Sequence, residues 1–171
     1  RQDRSPDDLF FSFKRRVLTC FAVDPFHVKM TTRLERQKTF FLPFDQGGNG
    51  AGEVGGAGNP PAPDGGYPTA YLWQRVLCRD ALLELLHKFL HLEKTEKKDP
   101  ATGKVTVRER LIFPRYHQWD VLHKLLDDIR AHGPGQQYLI QHSAGSGKSN
   151  SIAWLAHRLS GLHDAQEGKI F

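Results

Sequence analysis

Gln141-His142-Ser143-Ala144-Gly145-Ser146-Gly147-Lys148-Ser149-Asn150 decides how this chain is read. Phosphate-binding loops follow the pattern G-x-x-x-x-G-K-[ST]. Gly147, Lys148 and Ser149 match its end, and His142 stands where the first glycine would be. The flanks suit the pattern. Tyr138-Leu139-Ile140 reads as a short buried strand leading in. Ile152, Ala153, Trp154, Leu155, Ala156 and Leu159 read as a helix leading out, with Gly161 just beyond it as a stop. The chemistry explains the spacing. Triphosphate oxygens need several donors converging on a small volume. Glycines let backbone amides turn inward, and a helix start adds free amides and a positive dipole end. On this reading the amides of Gly145 to Gly147 cradle phosphate, Lys148 reaches the β- and γ-phosphates, and the Ser149 hydroxyl ligates Mg²⁺. The competing reading is a fortuitous glycine turn, which has no reason to lie between a strand and a helix.

Working outward, Phe113-Pro114-Arg115 opens a helix carrying Trp119, Leu122, Leu125, Leu126 and Ile129, and Gly133-Pro134-Gly135 stops it. Gln118 lies near its start. A glutamine amide offers both a donor and an acceptor, so Gln118 can read an adenine edge. The spacing is equally that of a surface glutamine on an amphipathic helix.

The rest of the chain is plainer. Ser5-Pro6-Asp7-Asp8 is a helix-start signal, followed by Leu9, Phe10, Phe13, Val17 and Leu18 at helical spacing. Phe21 to Val23, Val28 to Thr32 and Thr39 to Leu42 read as short strands; Val28, Met30 and Thr32 alternate with polar neighbours, as on one buried face. Arg33, Arg36 and Lys38 suit a solvated turn. Pro43 to Pro68 is too rich in Gly and Pro to bury apolar area, so it reads as a mobile loop. Thr69 begins one long helix, or two broken near Arg79-Asp80, with Leu72, Val76, Leu82, Leu85, Leu86 and Phe89 on its apolar face. His87 and His91 lack a third metal ligand and read as helix-surface residues. Residues 93–112 are polar, with a turn at Asp99-Pro100-Ala101-Thr102-Gly103-Lys104, and serve as the linker between residues 1–92 and 113–171.

Composition bounds the function classes. The 171 residues are 39% hydrophobic and carry a net charge of +5, a balance that suits a soluble protein and a polyanionic partner. No apolar run is long enough to span a membrane, and the arginine-rich start lacks the apolar core of a signal peptide. Cys20 and Cys78 form no C-x-x-C pair and read as reduced, buried thiols of a cytoplasmic protein. The chain opens on Arg1, its one methionine is Met30, and Lys169-Ile170-Phe171 reads as the beginning of a strand. A piece of a longer protein is expected.

Two blocks then point to a family. Phe113-Pro114-Arg115-Tyr116-His117-Gln118-Trp119-Asp120, together with the stretch from Gln141 to Ala156, closely resembles the restriction (R) subunit of type I restriction–modification enzymes. Met30-Thr31-Thr32-Arg33-Leu34 through Phe41-Leu42-Pro43-Phe44, and Gly58-Asn59-Pro60-Pro61 through Tyr71-Leu72-Trp73, agree with it. The resemblance implies an α/β chain: the C-terminal end of a nuclease-type α/β domain over residues 1–92, then from 113 the start of a P-loop, RecA-like parallel-sheet domain of a superfamily 2 motor. It implies ATP and Mg²⁺ as cofactors, with Gln118, Ala144, Gly145, Ser146, Gly147, Lys148 and Ser149 as nucleotide-binding residues and Ser149 on the metal. The implied partners are double-stranded DNA and the methyltransferase (M) and specificity (S) subunits, with no membrane. The parent would be an ATP-dependent DNA translocase and endonuclease.

The sequence holds no D-E-A-D or D-E-x-H box, and Asp24-Pro25 does not replace the family's nuclease acids. The fragment is therefore expected to be inactive alone. Two rival readings are another superfamily 2 helicase-like ATPase acting on DNA or RNA, and a non-catalytic basic interaction module with a vestigial P-loop.

Overall fold

In a computed structural model, residues 8–47, 59–100, 102–164 and 168–169 are described. The architecture is mixed α/β, built of helices and small sheets in which every described strand pairing is antiparallel. The chain forms two compact units that interleave in sequence.

The first unit comprises Arg1–Asp24, Val28–Pro43 and Tyr71–Pro114. Its three-stranded sheet is a meander of β1 (Cys20–Val23), β2 (Val28–Thr31) and β3 (Leu42–Pro43), with Met30 opposite both Phe21 and Leu42. Val28 and Met30 are buried and Lys29 is exposed, as the alternation requires. The Phe21 and Phe113 rings meet edge to face at 6.0 Å.

The apolar segment after Tyr71 is helical but broken. Wide π turns over Leu72–Val76 and Leu85–Phe89 flank α1 (Arg79–Glu84), and the break falls at Cys78, whose ψ of 156° is extended. Each π turn buries its first and last residues, Leu72 with Val76 and Leu85 with Phe89. His87 lies in the second π turn and His91 opens a strand, so the two do not share a helix face.

Residues 93–112, expected as a linker, lie almost wholly within a hairpin of β4 (His91–Lys98) and β5 (Val105–Ile112) inside this unit. Asp99 closes the turn, its N–H donating to the Lys104 carbonyl at 2.9 Å. The helix expected from Ser5 onward is reduced to one 3₁₀ turn, Leu9–Phe11, capped by Asp8; Ser5 to Asp7 lie outside the described residues. Leu9 and Phe10 stay exposed, and a short helix that buries no apolar face does not propagate. Cys20 is half-buried and Cys78 exposed, both as free thiols, so the expectation of buried thiols does not hold.

The second unit comprises Pro25–His27, Phe44–Ala70 and Arg115–Phe171. Its framework is α2 (Tyr116–His132) and α3 (Lys148–Ser160), with the short pair β6 (His163–Asp164) and β7 (Gly168–Lys169) beyond. Tyr116, Trp119, Leu122, Leu125, Leu126 and Ile129 recur at three- and four-residue spacing and are buried. Truncating Leu122 or Leu126 to Ala should cost about 2–5 kcal/mol. The Phe44 ring packs on Tyr116 at 5.9 Å. Residues 48–58 of the stretch from Pro43 to Pro68 lie outside the described residues, and the positions on either side of them are tied together. The Asn59 side chain accepts from the Gln46 N–H at 2.8 Å and donates to Asp45 Oδ1 at 2.9 Å and to the Phe26 carbonyl at 2.8 Å.

One expectation is corrected here. Tyr138-Leu139-Ile140 is not a buried strand: the segment is irregular and Leu139 is 95% exposed. A parallel strand is stable when its edges are paired and its faces covered, and no described strand pairs with this one. Tyr138 instead donates its hydroxyl to Asp128 Oδ2 on α2 at 2.7 Å.

Candidate functional site

The loop from His142 to Gly147 runs into the first turn of α3, and its conformation rests on two glycines. Gly145 (φ 74°) and Gly147 (φ 86°) occupy the left-handed region, where a side chain is strained. Gly147 has a second reason to be glycine: a Cβ there would stand 2.6 Å from Gln118 Nε2.

Side chains from both ends hold the loop's carbonyls. Lys148 Nζ donates to the carbonyls of Ser143 at 2.9 Å and His142 at 3.2 Å. From α2, Gln118 Nε2 donates to the Gly147 carbonyl at 2.9 Å and lies 3.4 Å from Ser151 Oγ, while Gln118 Oε1 accepts from the Arg115 N–H at 2.9 Å. Gln118 is 3% exposed, which removes the surface-glutamine alternative. Its amide is spent on α2's own start and on the glycine loop.

His117, absent from the expected site, belongs to it. Its Nε2 lies 3.2 Å from the Ser146 carbonyl, and its ring meets the edge of His142 at 4.8 Å and 79°. Burial is the main cause that pushes the His117 imidazole below its ordinary value; the Ser146 carbonyl opposes the shift, and His142 and Arg115 add to it. Burial likewise lowers His142, with the Lys148 charge adding to it. Both shifts favour the neutral imidazole. Nothing in the sequence singles out His117, because its role depends on a carbonyl far along the chain.

Of the expected residues, Ala144, Gly145, Lys148 and Ser149 are exposed and Ser146 is 5% exposed. The Ser146 hydroxyl has no hydrogen-bond partner among the described residues. The loop and helix start bring Ala144 to Ser149 together, and α2 brings Gln118 against them. An adjoining cavity of about 130 Å³ is walled by Leu122, Leu125, Ile140, Ile152 and Leu155 beside His142 and Lys148. Its apolar walls offer an anion few donors; the donors of this region are the loop amides and the first turn of α3. Ser149, in that turn, has an exposed hydroxyl suited to a hydrated Mg²⁺ carried by a nucleotide. Among the described residues no group of three or more His, Cys, Asp or Glu could hold a metal by itself, and no helix is long and apolar enough to cross a membrane.

Comparisons with protein-family models, with curated proteins and with solved structures found nothing that matches this chain.

Proposed function

We propose that this chain carries the nucleotide-binding loop of a type I restriction enzyme R subunit, at the junction between its nuclease domain and the first RecA-like domain of its motor. The observation that carries the reading is the loop itself. Gly145 and Gly147 take up left-handed conformations, α3 begins at Lys148, and Lys148 Nζ folds onto the carbonyls of His142 and Ser143. Three donors on a flexible stem can exchange these carbonyls for the oxygens of a triphosphate.

The ligand is ATP with Mg²⁺. Ala144 to Gly147 present backbone amides, Lys148 supplies the mobile cation, and Ser149 supplies the metal's hydroxyl ligand. Gln118, at the loop's edge, is the residue through which adenine would be distinguished. When bound, Mg²⁺ neutralises charge on the terminal phosphates. In the parent, ATP hydrolysis would drive translocation on double-stranded DNA beside the M and S subunits, in the cytoplasm. This chain, without an acidic box, would bind but not turn over nucleotide.

The test is a titration of the purified chain with a fluorescent N-methylanthraniloyl-ATP in Mg²⁺. Saturable binding that Lys148→Ala abolishes is expected. Equal signals from wild type and Lys148→Ala would end the nucleotide reading and leave the interaction-module alternative.

A further inference from the structure

The loop has a supporting device. Two successive residues of α2, His117 and Gln118, engage two successive loop carbonyls, those of Ser146 and Gly147. A trans peptide unit is planar, with its C=O and the following N–H pointing in opposite directions. No peptide bond in the described residues is cis. Drawing the Ser146 carbonyl toward α2 therefore turns the Gly147 N–H away from α2. The Gly147 carbonyl, held by Gln118 and by the Asn150 and Ser151 N–H groups of α3 at 3.0 and 3.3 Å, sets the Lys148 N–H likewise. These are two of the amides expected to face phosphate, and at the start of α3 such groups have no intrahelical acceptor.

We infer that His117 is a positioning residue: its Nε2–H holds the Ser146 carbonyl and thereby aims the Gly147 amide at the anion site. This rests on the nucleotide reading and deepens it. Three features fit the role. Gln118, the neighbouring arm, is almost wholly buried and fills the space a Gly147 side chain would need. His117 is kept neutral chiefly by burial, so one ring nitrogen donates without placing a second fixed charge beside Lys148. The His117 ring also packs edge-on against His142, the residue that replaces the pattern's first glycine. His142 therefore has a partner for the bulk that a glycine would not bring.

The role separates donor from ring. His117→Gln keeps an amide N–H close to the place of Nε2 and loses the ring; His117→Phe keeps a ring and loses the donor. Leaving a loop carbonyl without its donor should weaken binding of N-methylanthraniloyl-ATP about tenfold in His117→Phe. His117→Gln should bind close to wild type. Hydrogen exchange of the ligand-free chain supplies a second readout: the Asn150 and Ser151 amides, which bond the Gly147 carbonyl where the loop enters α3, should exchange faster in His117→Phe and unchanged in His117→Gln. If His117→Phe does not fold, His117→Leu carries the same comparison. Phe binding like wild type, or Gln binding as weakly as Phe, overturns the inference. If the wild-type chain binds no nucleotide, the functional reading fails, and the exchange data then decide the loop-holding role alone: unchanged exchange in His117→Phe refutes it.

Discussion

The hairpin of β4 and β5 and the loop between α2 and α3 are both connections between larger elements, and they are held in opposite ways. The hairpin is a ladder of eight antiparallel residue pairs whose side chains stand mostly in solvent. Its charged contacts are surface pairs: Glu109 meets Lys14 and, at 3.6 Å, Lys94. Those pairs hold Glu109 below the usual carboxylate range, the Lys14 hydrogen bond foremost, yet exposed pairs of this kind add little to stability. The glycine loop forms no ladder. Four of its carbonyls take side-chain donors, from Lys148, His117 and Gln118, and the Gly147 carbonyl also accepts from the first amides of α3. A backbone ladder tolerates changes in side chains, because none of its bonds uses one. A loop tied by side chains does not.

The largest expected effect tests what the loop is for. On the proposed reading, Lys148→Ala in an R subunit containing this chain should reduce ATP turnover by roughly 3–5 powers of ten, since the terminal phosphate loses its principal cation. Translocation and restriction should vanish with it, and methylation by the partner subunits should persist. A Lys148→Ala enzyme that still restricts phage refutes the motor assignment.

Next comes Gly147→Ala. It places a side chain at φ 86° and a Cβ 2.6 Å from Gln118 Nε2, and should destabilise the second unit by about 2–3 kcal/mol. Thermal unfolding measures this. Lys97→Gln on the hairpin, an exposed position, should change stability by no more than about 0.5 kcal/mol. Equal losses from the two substitutions would break the contrast between the regions.

Gln118→Ala should cost about 1–3 kcal/mol by removing the acceptor of the part-buried Arg115 N–H and a donor from the Gly147 carbonyl. In the parent it also tests nucleotide choice. If the amide turns to read adenine, the ATP-to-GTP ratio of kcat/KM narrows. If the amide only holds the loop, both nucleotides weaken alike and the ratio stays.

The smallest effect is one of pH. His117 and His142 are both depressed below the ordinary value of 6.5, chiefly by burial. In mild acid the unfolded chain therefore binds more protons than the folded one. This contribution to stability is complete above the ordinary imidazole value, declines as pH falls through it, and levels off below the folded-state values. Melting temperature against pH should show the decline, and His117→Gln should flatten it. An unchanged slope in that variant would show that His117 does not carry this pH dependence.

How much of this was legible beforehand follows from the range of each interaction. Local signals served well. The apolar spacing after Arg115 and the Gly133 stop mark α2, the G-S-G-K-S turn marks the start of α3, and Val28 and Met30 mark a buried strand face. Asp8, by contrast, is a good local cap that begins only one turn, and Leu9 and Phe10 within that turn stay exposed. Tyr138 to Ile140 has the composition of a core strand and no partner strand among the described residues.

The sequence by itself determined the two long helices, the glycine-dependent turn between them and the place of its lysine, since propensity, capping and backbone sterics act within a few residues. Tertiary structure decided that 93–112 is a paired hairpin, that Gln118 is buried, and that His117 reaches the Ser146 carbonyl. Those outcomes depend on which distant backbone groups come within about 3 Å of a side chain, a distance that no local pattern encodes.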